Sequence, residues 1–163
     1  SAGFNSMFWT YVAAFAGVLL AGSISDRLAA RSPEQRMVLQ ALGLILGAVP
    51  LFIIGHSATL WTLYACFAGW GFFRAVFDAN TYAVLYDVTP PHLHASCSSA
   101  MITTGFAVGA LAPVVLGALK DSLGSLQETF PILATIWLVC GIIMLVVAFK
   151  LYRKDYDKNK GNH

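Results

Sequence analysis

The stretch from Ala58 to Val88 constrains this chain more than any other: 31 residues, almost all apolar, with Arg74 and Asp78 set inside it. As a helix it would be roughly 46 Å long at about 1.5 Å per residue, against a bilayer core about 30 Å thick. Arg74 therefore falls near the midplane, too far from either loop to reach water by stretching. Ionised side chains at that depth are costly and mark an internal cavity, an ion path or a binding site. The i,i+4 spacing also permits a simpler reading, in which Arg74 and Asp78 only neutralise each other.

The rest of the chain has the same character. Of its 163 residues 58% are hydrophobic and 11% are charged, where a soluble domain carries about 25% charged residues. The pattern predicts an all-α integral membrane fold of five helices, at about 5–25, 37–54, 58–88, 93–119 and 129–149, with a basic tail over 150–163. Asp26 to Arg36 reads as a charged loop broken by Pro33. Gly55 to Ser57 reads as a turn, and Lys120 to Gly124 as another. Pro90 and Pro91 end the long helix, and Pro131 suits the first turn of the last one.

Basic residues fix the expected orientation. Arg27, Arg31 and Arg36 in the first loop and Lys150, Arg153, Lys154, Lys158 and Lys160 in the tail lie on one side, against Lys120 alone on the other. Eight against one places the first loop and the tail in the cytoplasm. Cys66, Cys97 and Cys140 have no paired spacing and read as packing residues rather than a disulfide or metal framework. His92 and His94 form a His-x-His pair without a third ligand, so no metal and no cofactor are expected, nor is a nucleic-acid partner. The chain opens at Ser1 in mid-pattern, without a signal peptide, and reads as a piece of a longer protein.

Gly22, Asp26, Arg27 and Arg31 form a G-x-x-x-D-R-x-x-x-R loop between two apolar helices. Physically, Gly22 would allow close helix approach, Asp26 would suit the positive N-terminus of a neighbouring helix, and the arginines would hold anionic headgroups. This loop resembles that of the major facilitator superfamily, in its weaker second copy between the eighth and ninth helices, since Ala29 stands where the stronger copy has Gly. Asp87 to Ser96 resembles the loop between the tenth and eleventh helices, with His94 in the place of an arginine. The resemblance implies helices eight to twelve of a twelve-helix carrier whose N-terminal half is absent. It also implies that the long third helix lines the central cavity.

Two candidate constellations remain. At 100° per residue, Tyr64, Trp70, Arg74, Asp78, Thr81 and Tyr82, with Phe67, share one stripe of the third helix. They are the candidate substrate-binding and coupling residues, whereas Asn80 and Asp87 fall on another face. Gly105, Gly109, Pro113 and Gly117 recur every four residues and suit close helix packing. The functional expectation is a non-enzymatic transporter, carrying a small polar organic solute by alternating access with a coupling H+ or Na+; an Arg already paired to an Asp offers little free positive charge, so the preference for an anionic solute is weak. A scaffold or sensor with the same fold is the alternative. A membrane-embedded hydrolase would need a nucleophile and base inside the bilayer, and no Gly-x-Ser-x-Gly is present.

Overall fold

A computed structural model describes residues 2–32, 34–56, 59–125, 127–152, 154 and 156. Ser1, Pro33, Ser57, Ala58, Arg153, Lys158 and Lys160, used in reading the sequence, lie outside them. Five long helices follow one another: α1 (Ala2–Ala29), α2 (Glu34–His56), α3 (Leu60–Val88), α4 (His94–Leu123) and α5 (Thr129–Val147). All five are long and apolar enough to cross a membrane. The chain is an all-α, multi-pass membrane protein.

The helices overrun their expected ends because polar residues at a membrane boundary need not break a helix. Asp26 and Arg27 occupy the last turns of α1 rather than a loop, and Gly55 and His56 still belong to α2. Lys120 to Leu123 complete α4, and the helix stops at Gly124, at φ 85°. That left-handed position is one glycine adopts without a Cβ clash. A 3-10 turn, Pro91–Leu93, precedes α4. Beyond α5, a π-turn over Ala148–Tyr152 carries the chain inward, so that Tyr152 is buried where a solvated tail was expected.

Packing is uneven. α3 lies against α1 on one side and α2 on the other, and α5 closes on α2. A core cluster of Ala48, Leu51, Ile54, Cys66 and Ala134 joins α2, α3 and α5, flanked by Phe67, Trp70 and Trp137. Small residues set these distances. A methyl built on Gly71 would lie 2.5 Å from the carbonyl oxygen of Thr10, and one on Gly17 would lie 2.6 Å from that of Phe72. α1 and α3 are thus in backbone contact from both directions.

α4 stands apart, with none of its residues buried. A Cβ added at Gly105, Gly109 or Gly117 would meet nothing within 4 Å, and the same holds at Gly22. These glycines do not mediate packing among the described residues; Gly17, Gly43, Gly71 and Gly141 do. The reason is positional: a small residue permits close approach only where a second backbone lies opposite. Pro113, inside α4, belongs to the same unpacked helix.

Candidate solute site

α3 has 29 residues, and Arg74 has fourteen on either side, about 21 Å of helix in each direction. Its Nε lies 3.4 Å from Oδ2 of Asp78, and both side chains are about half exposed, at 51% and 53%. The guanidinium carbon sits 5.5 Å from the centre of the Trp70 ring, a cation–π arrangement. Trp70 in turn packs against Trp137 of α5, with ring centres 5.8 Å apart. Two neighbours, one carboxylate and one ring, thus restrain the guanidinium plane.

Only the Nε edge of Arg74 is taken. Among the described residues, neither Nη atom has a protein partner. The planar fork that suits a carboxylate or phosphate remains open. An i,i+4 pair closed through Nε offsets charge within the helix.

The pair borders a cleft of about 530 Å³ between α1 and α3. Met7, Thr10, Tyr11, Ala14 and Val18 line it from α1, and Phe67, Trp70, Gly71, Arg74, Ala75 and Asp78 from α3. Of the expected stripe, the structure brings Trp70, Arg74, Asp78 and Phe67 together. It does not bring Tyr64, Thr81 or Tyr82 to the cleft. Thr81 accepts a hydrogen bond from Gln40 of α2 at 2.9 Å and donates to the Phe77 carbonyl at 3.0 Å. Tyr64 packs edge-on against Trp61, and Tyr82 lies beside Tyr86. One stripe on a crossing helix meets α1 at one depth and α2 at another, so equal angular position does not give a common neighbour.

The α1 wall was missed, for no charge or motif marks Thr10, Tyr11, Ala14 or Val18. Their i, i+4 spacing with Ala and Val facing a charged helix was the only available signal.

A second polar assembly occupies the end where α1 and α3 finish and α2 begins. Asp26 accepts from Arg36 at 3.0 Å, so it meets the first turn of α2 through a side chain. Arg36 also reaches Asp87 at 3.4 Å, and Tyr152 donates to Asp87 at 2.8 Å. Deeper in, Ser25 hydrogen-bonds Asn80, which is 1% exposed. Arg27 and Arg31, exposed at the end of α1, take no part in these bonds. His94 stacks on Tyr86 with ring centres 4.4 Å apart, and its Nε2 lies 2.8 Å from the Thr89 carbonyl, tying the start of α4 to α3.

The Major Facilitator Superfamily model matches residues 2–163 of the chain. No curated protein and no solved structure gives a significant match.

Proposed function

The chain belongs to the Major Facilitator Superfamily of membrane transporters, and on that premise we propose that it carries out secondary active transport of a small anionic organic solute by alternating access. In this reading it forms helices eight to twelve of the carrier, with the first loop and the tail cytoplasmic. Two halves rock about a site near the bilayer midplane, and the cleft between α1 and α3 is this half's share of that site. Arg74 grips the solute through its open Nη edge. Asp78 holds the guanidinium in place and is the group available to a coupling proton. Trp70 supplies a stacking surface. The Asp26–Arg36–Asp87–Tyr152 assembly ties the helix ends together on the cytoplasmic side, where breaking and remaking it would accompany the rocking.

The observation that carries the proposal is an arginine at the centre of a membrane helix, bordering a cleft, with its recognition edge unoccupied. The test is solute uptake by proteoliposomes containing the product of the complete reading frame. Arg74→Lys keeps the charge and loses the fork, so it is expected to insert normally and show a raised KM. Native KM in the Lys variant would remove the fork from recognition.

A further inference from the structure

We propose that the cleft between α1 and α3 takes an organic monocarboxylate with an apolar, ring-sized body. This rests on reading the cleft as the solute site and adds the class of substrate. Polar groups on its walls are few: the Arg74–Asp78 pair and the hydroxyls of Thr10 and Tyr11. The remaining surface comes from Met7, Ala14, Val18, Phe67 and Ala75 and from the Trp70 ring.

This distribution decides between solute classes. A polyol or sugar carries hydroxyls all round, and against these walls most would lose water without gaining a partner. Each such loss costs about 1–3 kcal/mol. A solute with one polar end and an apolar body loses nothing at the walls and gains dispersion and burial there. At about 530 Å³ the cleft holds a six-membered ring with a short acid arm, within the usual range of ligand pockets, roughly 300–1,000 Å³.

Charge limits the polar end to at most one carboxylate. Asp78 already offsets Arg74, so a monoanion leaves the trio one charge in excess and a dianion leaves it two. One excess charge is removed by a single proton; two are not, and uncompensated charge at this depth is costly. The free Nη edge of Arg74 matches the two oxygens of a carboxylate, and Trp70 beneath the guanidinium fixes the plane in which that match is made.

The experiment measures binding and uptake of radiolabelled phenylacetate in proteoliposomes containing the product of the complete reading frame. Phenylacetamide, glucose and succinate serve as competitors. The expected result is saturable phenylacetate binding, with each competitor weaker by at least about tenfold, the lower bound for losing a hydrogen bond to a charged group. Ala14→Phe, which fills the apolar wall, is expected to raise the KM for phenylacetate more than that for acetate. Equal competition by phenylacetamide, or no phenylacetate binding, overturns the monocarboxylate assignment. Arg74-dependent uptake of glucose or succinate in its place overturns the substrate class while leaving the site standing. Phenylacetate uptake unchanged by Arg74→Lys and by Ala14→Phe overturns the site itself.

Discussion

Tyr152 donates its hydroxyl to Asp87 at 2.8 Å, across 65 residues of sequence. The contact fastens the segment after α5 to the end of α3, and Arg36 reaches the same carboxylate oxygen from α2 at 3.4 Å. α2, α3 and the segment after α5 are therefore joined through one Oδ2.

Removing the tyrosine hydroxyl tests that junction with little change in packing. Tyr152→Phe is expected to lower thermal stability in detergent by an amount equivalent to about 1–2 kcal/mol, because Asp87 loses a donor while keeping Arg36. Asp87→Asn is expected to cost more, since it leaves Arg36 with Asp26 alone. A Phe variant with unchanged melting and unchanged proteolysis of the C-terminal segment would contradict the junction.

The backbone contact between α1 and α3 gives a sharper expectation. At Gly71 an added methyl faces the Thr10 carbonyl, which cannot rotate away. Gly71→Val is therefore expected to separate the helices and destabilise by about 1–3 kcal/mol, the usual range for overpacking. Gly109→Val, on the unpacked face of α4, is expected to fold as well as the parent when the 163-residue chain is expressed alone. Equal melting temperatures for the Gly71→Val variant and the parent chain would contradict the close approach.

The membrane orientation is open to direct labelling. His56 ends α2 and Ala30 follows α1, and both are exposed. Single cysteines at these two positions, with Cys66, Cys97 and Cys140 replaced, are expected to react with an impermeant thiol reagent from opposite sides, Ala30→Cys from the cytoplasm. Labelling from one side would contradict the span between them.

The helices and the central pair were legible in the sequence because both are local. An arginine inside a long apolar run is conspicuous, and a partner four residues on needs no knowledge of the rest of the fold. Thr81 and Tyr82 were assigned to the cleft on angle alone, and the crossing of α3 over α2 turned Thr81 to Gln40 instead. Asn80 and Asp87, set aside as lying off the stripe, instead join α3 to α1, α2 and the segment after α5. Contacts such as Asp87–Tyr152 depend on which helix ends meet, and periodicity within one helix carries no such information. The distinction can be measured: Trp70→Ala is expected to impair uptake, whereas Thr81→Val is expected to alter stability and leave KM near the parent value.

The most direct test concerns Arg74 and Asp78 together. Removing one partner of a buried pair leaves a lone charge, typically costing about 3–5 kcal/mol, and the half-exposed position of this pair reduces that figure. Loss of function in a single variant would therefore mix folding with mechanism, and the double change Arg74→Ala with Asp78→Ala separates them. The measurement is the initial rate of solute uptake per inserted molecule, in proteoliposomes containing the double variant of the complete reading frame. The account predicts normal insertion and melting with uptake at the background of empty vesicles. Uptake at the parent rate by a well-inserted double-alanine carrier would contradict it.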